Sequence, residues 1–132
     1  MDRLFVSFVV YGEPVPKQSF RFARGGGFTD PRVRDWQDLV RATALQSVGD
    51  NVDNDAYLGP WGVRLEFHRK SARAVDLDNL SKAVLDALNG VVWKDDRQVV
   101  ELRVRKLPSD PKDIPCVLIE AWPLEGDDDE DN

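Results

Sequence analysis

The sequence is poor in the residues that build disulfides and zinc sites. Its 132 residues include one cysteine, Cys116, and one histidine, His68. A single cysteine cannot form an internal disulfide, which is typical of proteins from a reducing compartment, so we expect a cytoplasmic protein. A structural zinc site, which is built mainly from Cys and His ligands, is nearly excluded by the same two counts.

Long apolar segments are also missing. No apolar run approaches the roughly 20 residues that span a membrane, so we expect no membrane association. The first residues, MDRLFVSFVVYGEP, combine Asp2 with Arg3, have a short apolar stretch and lack a small-residue cleavage site. They therefore do not resemble a signal peptide. The length fits one domain with a core of its own.

The charge is unevenly distributed. The net charge is −6, which is unusual for a protein that binds DNA. From Glu125 onward the sequence is EGDDDEDN, and removing its six acids from the total of 24 leaves 18 acids against 18 bases. Bases cluster between Lys17 and Arg41 and between Arg64 and Arg73. Clustered bases on a neutral body can contact phosphates, although ordinary solvated faces would look the same.

The first part of the chain predicts a strand, a loop and a helix. Residues 3–11 are rich in β-branched and aromatic types, which is typical of a strand. Residues 12–29 contain two prolines and three consecutive glycines, which favour a loop. Asp30, followed by a proline, suits the start of a helix whose apolar spacing continues to about Val48.

The second part predicts one more helix and three more strands. Residues 50–60 are polar and rich in turn formers, so we expect a connection there. Residues 61–69 alternate apolar and polar types, which is typical of a half-buried strand. A helix is predicted over 77–89, where an Asn-Gly pair ends it. The last strands are predicted at about 97–106 and 116–122.

This order, β-α-β-α-β-β, predicts an α+β fold. We expect a small single domain in which two helices pack on a mixed four-stranded sheet. The domain is expected to cover residues 1–124. Residues 125–132 are expected to form a disordered acidic tail.

The segment that points to chemistry is DLDNLSKAVLDALNGVVWKDD, residues 76–96. At about 100° per residue, its helical part divides into an apolar face and a polar face. The apolar face contains Leu80, Val84, Ala87 and Leu88. The polar face carries Asp78, Asn79, Lys82 and Asp86. The second helix should therefore bury one side against the sheet and present carboxylates, an amide and an ammonium on the other.

Further carboxylates flank this helix. Asp76 lies two residues before Asp78, near the helix N-terminus, where the helix dipole favours negative charge. Asp95 and Asp96 follow an apolar VVW run. If the strand that follows pairs beside strand 61–69, these aspartates and the helix start can meet at one edge of the sheet.

Several carboxylates in one place repel each other unless a cation lies among them. Oxygen ligands select Mg²⁺ or Mn²⁺, and magnesium is typically held by few carboxylates together with substrate phosphate. Such an ion can activate water for phosphodiester hydrolysis. A lysine on the same face, here Lys82, can stabilise charge on the phosphate.

Each residue also has a purely structural interpretation. Asp76 or Asp78 can be a helix N-cap, and Lys82 can form surface i,i+4 pairs with its neighbours. Asp95 and Asp96 can be plain turn residues. The combined pattern, DxDN-L-x-K followed by W-x-DD, is harder to explain in this way.

At these residues the sequence resembles the RusA family of Holliday-junction resolvases. The resemblance is close over residues 76–100, through DLDNLSKAVLDAL, the tryptophan, DD and QVV. Upstream, GEPVPKQSFRFARGGGFTDP resembles more loosely a family segment of the form G-x-P-x-x-K-x-R-x-R. Ser19 and Phe20 depart from that form, so we expect some DNA contacts of this segment to differ from those of relatives.

The resemblance implies the roles of particular residues. Asp76, Asp78 and Asp96 would be the metal-binding carboxylates, with Asp96 assigned by aligning the final Asp of the pair. Lys82 would be the essential lysine. Asp95 would be adjacent to the site. The family requires a divalent metal, here Mg²⁺ with Mn²⁺ as a possible substitute, and uses no small-molecule cofactor.

The resemblance also implies partners and a biological setting. Family members are homodimers that cut four-way DNA junctions by paired nicks in recombination and repair, and many come from phages or prophages. A two-fold dimer would supply the two matched cuts that a four-way junction needs. The bases in the two clusters are the candidate DNA contacts, namely Lys17, Arg21, Arg24, Arg69, Lys70 and Arg73.

Two other functions remain open from the sequence. A branched-DNA-binding protein could retain the fold without cutting. A less selective metal-dependent nuclease or a phosphatase could use the same carboxylates. These alternatives differ in whether a junction is cut and whether linear duplex is cut equally well.

Overall fold

Four strands, three α-helices and one 3₁₀ turn make up the described part of the chain. The computed structural model describes residues 6–17, 30–49, 52, 54–71, 73–108 and 110–125. The elements are β1 (Val6–Tyr11), α1 (Pro31–Val48), α2 (Asn54–Leu58), β2 (Trp61–His68), α3 (Leu77–Ala87), the 3₁₀ turn (Asp96–Gln98), β3 (Val99–Lys106) and β4 (Cys116–Pro123).

The strands form one mixed sheet in the order β1-β4-β2-β3. Strand β4 is antiparallel to both β1 and β2, whereas β2 and β3 are parallel. A parallel pair needs a crossover connection, which α3 provides between β2 and β3. The α+β fold with a mixed four-stranded sheet is therefore confirmed, as is the pairing of β3 beside β2.

Helix α1 begins and ends where its sequence predicts. The side chain of Asp30 accepts a 2.8 Å hydrogen bond from the backbone N–H of Arg32, and Pro31 occupies the first helical position. Gly49 ends the helix with a φ of 55°, a conformation that glycine adopts without strain. The buried side of the helix, including Trp36 and Val40, packs into the core.

Helices α1 and α3 pack side by side over one face of the sheet. Helix α3 buries Leu80, Val84 and Ala87, as its apolar spacing predicts. Two side chains of α1 fix the pair, because Gln37 Nε2 donates to the carbonyl of Ala83 and Arg41 Nε donates to that of Ala87, both at 3.0 Å. No helix in the described residues is long and apolar enough to cross a membrane.

Three details differ from the sequence prediction. The connection at residues 50–60 contains the short helix α2. Helix α3 ends at Ala87 rather than 89, and the predicted strand start at 97–98 belongs to the 3₁₀ turn. The cause is tertiary, since the carbonyl of Tyr57 in α2 accepts hydrogen bonds from Lys94 N and from Gln98 Nε2. Residues 3–5 of the predicted first strand and residues 126–132 lie outside the described residues.

Candidate active site

Two carboxylates stand at the N-terminal end of α3. Asp76 is the N-cap residue, but its side chain makes no capping hydrogen bond. Among the described residues, its Oδ2 accepts one long hydrogen bond of 3.4 Å, from Asn79 Nδ2. Asp78 lies in the first turn, and both aspartates are exposed. The carboxylate of Asp76 therefore does not cap the helix, and the side chains of Asp76 and Asp78 are both accessible to a ligand.

Lys82 lies one turn after Asp78 on the exposed side of α3. Within the described part of the chain, neither Lys82 nor Asp78 makes a side-chain hydrogen bond or an ion pair. The i,i+4 pairs that would have given Lys82 a purely structural role are therefore not formed. Its ammonium remains available to an anion near the start of the helix.

Asp96 lies in the 3₁₀ turn and is half-buried. Burial raises the pKa of its carboxyl above the ordinary value, and the charges of Asp86 and Asp95 raise the pKa further. A hydrogen bond from the side chain of Asn89 and the charge of Lys17 act in the opposite direction. Asp96 is thus a crowded carboxylate for which a nearby positive charge is favourable.

Asp95 has a different environment. Its Oδ1 accepts a 2.9 Å hydrogen bond from the backbone of Arg97, and Gln98 Oε1 accepts one of the same length from the backbone of Asp95. The side chain of Asp95 also accepts from the backbone N–H of Gln98, so Asp95 and Gln98 form a capping box. The hydrogen bonds from the Arg97 backbone and side chain lower the pKa of Asp95. Asp95 therefore stabilises the turn that carries Asp96.

A polar network links Asp96 to the segment before α1. Nζ of Lys17 lies 2.5 Å from Oδ2 of Asp86, and the backbone N–H of Lys17 donates to the carbonyl of Asn79. Asn89 Nδ2 lies 3.4 Å from Oδ1 of Asp86. The fully buried Trp93 fixes Asn89 by donating a 2.9 Å hydrogen bond to its Oδ1.

The carboxylates occupy two ends of α3 within one chain. Asp96 neighbours Asp86, in the last turn of the helix, and Asn89, which follows the helix end. Asp76 lies ten residues before Asp86, a rise of about 15 Å along the axis. Among the described residues, no group of three or more His, Cys, Asp or Glu side chains is placed to hold a metal ion. The expected meeting of Asp76, Asp78 and Asp96 is thus not formed within this single chain.

The residues predicted to contact DNA differ in their exposure and in their partners. Arg69 is only 6% exposed, and its Nη1 donates a 2.7 Å hydrogen bond to the carbonyl of Arg73. Nη1 of Arg69 thus contributes to the fold, and the assignment of Arg69 to DNA binding stays a prediction. Lys70 and Arg73 are exposed, and Lys17 pairs with Asp86. Arg21 and Arg24 lie outside the described residues.

The sequence of this chain matches a known protein family. The sequence model described as "Endodeoxyribonuclease RusA" matches residues 11–116. The chain belongs to the RusA family. The match includes both ends of α3, the 3₁₀ turn and the β1–α1 connection.

Individual relatives agree with this membership. The chain is 50% identical over 50 residues to a protein named "Crossover junction endodeoxyribonuclease RusA" from Escherichia coli strain K12, and equally similar to one from Enterobacteria phage 82. This stretch covers 37% of the chain and 42% of the length of each relative. A Bacillus subtilis protein named "Uncharacterized protein YqaN" is 26% identical over 88% of the chain and 96% of its own length.

The residues of this RusA-family site fit a hard divalent cation better than zinc. Its donors are carboxylate and amide oxygens, which suit Mg²⁺ or Mn²⁺. His68 lies away from them on β2, where its Nε2 is 3.4 Å from Glu66 Oε1. Cys116 lies at the start of β4. Asp76 and Asp78 alone supply the one or two carboxylates with which magnesium is usually bound.

Sequence reasoning missed the pairing of Lys17 with Asp86. It placed Asp86 on the polar face of the helix but did not assign it a partner. No local signal joins residues separated by 69 positions. The burial of Arg69, by contrast, had a signal, because Arg69 continues the inward alternation of Val63, Leu65 and Phe67 along β2.

Proposed function

We propose that this chain is a magnesium-dependent endodeoxyribonuclease that cuts branched DNA, with the four-way junction as its main substrate and recombination and repair as its setting. One observation carries the proposal. Asp76 and Asp78 at the start of α3, and Lys82 one turn further on, are exposed, and among the described residues no side-chain capping bond or ion pair occupies them. They lie in the segment that matches an endodeoxyribonuclease family.

The residues would divide the chemistry as follows. Asp76, Asp78 and Asp96 would hold Mg²⁺, with Mn²⁺ as a substitute, and a bound ion of this kind activates water and stabilises charge on phosphoryl oxygens. The ammonium of Lys82 would bind the scissile phosphate and stabilise the charge that develops on it. Asp95 would keep the turn of Asp96 in place through its capping box.

A homodimer is part of the proposal, because it offers a source for the third carboxylate. Within one chain, Asp96 lies at the opposite end of α3 from Asp76 and Asp78. In a two-fold dimer, any contact between Asp96 of one copy and Asp78 of the other is repeated by symmetry, which produces two equal sites. Two equal sites suit a junction that needs two matched cuts.

Mixed dimers test this arrangement. A dimer that combines one Asp78→Asn copy with one Asp96→Asn copy has one intact site if the carboxylates come from different copies. It has no intact site if they come from the same copy. Nicking of one strand by the mixed dimer, with both parent homodimers inactive, supports the shared site. Complete inactivity of the mixed dimer contradicts it.

A cleavage assay tests the function itself. Labelled four-way junction and linear duplex are incubated with and without Mg²⁺, using the wild-type protein, Asp76→Asn and the control Asp38→Asn. Asp38 is an exposed aspartate of α1 outside the site. We expect Mg²⁺-dependent cutting of the junction by the wild type and the control only. A wild type that binds junctions but never cuts them would be a binding protein, and equal cutting of duplex would indicate a less selective nuclease.

A further inference from the structure

A cleft of about 760 Å³ opens beside Asp76. It lies between three segments, which are residues 12–16, the first half of α1 and the connection at residues 69–75. Asp76 and Asn79 at the start of α3 form part of its wall. A molecule in the cleft would therefore lie next to the proposed metal-binding carboxylates.

The lining of the cleft is mainly apolar. Pro14, Val15, Trp36, Leu39 and Val75 contribute to it. Gly12, which also lines the cleft, approaches the ring of Trp36 closely, because a Cβ at Gly12 would lie only 3.3 Å from its Cζ3. A planar, largely apolar group is the ligand that such a surface accommodates best.

Two residues of the lining carry buried N–H groups that have no hydrogen-bond partner among the described residues. One is Nε1 of Trp36, a residue that is 4% exposed. Arg69 is 6% exposed, and its Nε is 3.5 Å from Glu13 Oε2, a charge contact that lacks hydrogen-bond geometry. Most buried N–H groups in proteins are paired, so a ligand with acceptor atoms would complete the hydrogen bonding of this wall.

The charged groups of the lining nearly balance, with the carboxylates of Glu13, Asp30, Asp35 and Asp76 beside the guanidinium groups of Arg32, Arg69 and Arg73. A neutral base therefore suits the cleft better than a phosphate does. The same carboxylates accept hydrogen bonds from the exocyclic amino groups of nucleobases. Arg73, which is exposed, and its neighbour Lys70 can hold the phosphates that flank such a base.

We infer that this cleft binds one unpaired nucleobase of branched DNA, next to the strand to be cut. The base would pack against the apolar lining, offer an acceptor to the buried N–H groups and donate an amino group to a carboxylate. The inference deepens the proposed function and depends on it for the identity of the ligand. It assigns to Trp36 and to the residues around it a role in selecting where branched DNA is engaged.

An abasic substitution tests the inference. A DNA branch with one unpaired nucleotide is compared with the same branch lacking that base, in Ca²⁺ to prevent cutting. We expect the wild type to bind the intact branch at least about fivefold more tightly, since stacking of a base on protein is commonly worth that much or more. Equal affinity for the two branches overturns the inference.

Two variants locate the effect in the cleft. Ala74→Leu narrows the cleft from an exposed position and should abolish the preference for the intact branch. Leu45→Ala, an exposed change on α1 outside the cleft, should retain the preference. If Ala74→Leu retains it as well, the base is bound elsewhere and the inference is wrong.

The indole N–H signals of the tryptophans give a second readout by NMR. The Trp36 signal, assigned by its loss in Trp36→Phe, should shift with the intact branch and not with the abasic branch. The signal of Trp61, whose Nε1 already donates to the carbonyl of Ala56, serves as an internal control. A Trp36 signal that responds equally to both branches contradicts the inference.

The two proposals can fail separately. If the protein cuts junctions but binds the intact and the abasic branch equally, the proposed nuclease function is supported and the base-binding cleft is contradicted. A clear preference without cutting in Mg²⁺ would remove the nuclease and leave a base-binding DNA protein.

Discussion

Nζ of Lys17 donates a 2.5 Å hydrogen bond to Oδ2 of Asp86. The two side chains remain about one-third exposed, so water screens the pair. Its position matters more than its strength, because both charges act on Asp96 at the C-terminal end of α3. The pair joins the segment that follows β1 to the last turn of α3, beside the turn that carries the proposed metal ligand Asp96.

Removing either member of this pair should change the titration of Asp96, in opposite directions. Lys17 lowers the pKa of Asp96 and Asp86 raises it. Lys17→Met should therefore raise that pKa, whereas Asp86→Asn should lower it. Because a metal ligand must be ionised, the acid limb of the cleavage profile should move to higher pH in Lys17→Met and to lower pH in Asp86→Asn.

The measurement is a carboxyl ¹³C titration of the metal-free protein together with the cleavage rate against pH. The double variant should lie between the two single variants. Shifts of both single variants in the same direction would show that charge is not the cause.

Asp96→Asn and Asp95→Asn should have opposite effects on stability. The folded-state pKa of Asp96 is raised, so its ionised form destabilises the fold at neutral pH, and the effect disappears below the unfolded value near 4. The folded-state pKa of Asp95 is lowered, so its ionised form stabilises the fold at neutral pH, and this is lost as pH falls through the lowered value.

Melting curves at several pH values test this pair. At pH 7, Asp96→Asn should raise Tm and Asp95→Asn should lower it, and both differences should shrink at about pH 3. A lower Tm for Asp96→Asn at neutral pH would contradict the description of Asp96 as a half-buried carboxylate beside other negative charges.

Arg69→Ala should weaken the fold rather than DNA binding alone. Arg69 is buried, donates to the carbonyl of Arg73 and faces Glu13. Loss of one member of a buried pair costs about 3–5 kcal/mol, and we expect about 2–3 kcal/mol here because Glu13 is one-third exposed. Urea unfolding measures this change.

Lys70→Ala and Arg73→Ala are the matched controls for Arg69→Ala. Both side chains are exposed, so each variant should keep its stability within about 0.5 kcal/mol. If each contacts one phosphate, each should reduce the slope of log affinity against log salt by about 0.9. Unchanged slopes would show that these bases do not contact DNA.

Gly62→Ala should destabilise the sheet. A Cβ at Gly62 would lie 2.4 Å from Nε1 of Trp122, whose indole covers the strand at this point. Forced movement of a packed side chain costs about 1–3 kcal/mol. Urea unfolding of this variant beside the exposed change Ser7→Ala measures the cost, and equal stability would show that Trp122 moves freely.

The elements that the sequence predicts well are those with local causes. Helix α1 is fixed by Asp30, Pro31 and Gly49, which act within a turn of the helix ends. The inward alternation of β2 follows from residues two positions apart. Both patterns concern neighbours along the chain, so they need no knowledge of the tertiary structure.

The features that the sequence does not predict depend on contacts between distant segments. Helix α2 is stabilised by its contacts with Lys94 and Gln98 rather than by its own five residues. The environment of Asp96 depends on Lys17, which is distant in the sequence. The sequence also does not show that the side chain of Asp76 makes no capping hydrogen bond. The motif thus indicates which residue types act, whereas their placement at the two ends of α3 comes from the fold.

The central claim is that the carboxylates at the start of α3 perform metal-dependent cutting of branched DNA. Its most direct test is the single-turnover rate of Asp78→Asn on a labelled four-way junction in Mg²⁺, at a protein concentration that saturates binding. We predict a rate lower by more than about a hundredfold, because stabilisation by a metal ion is worth several kcal/mol, with junction affinity retained. A rate equal to that of the wild type would contradict the account.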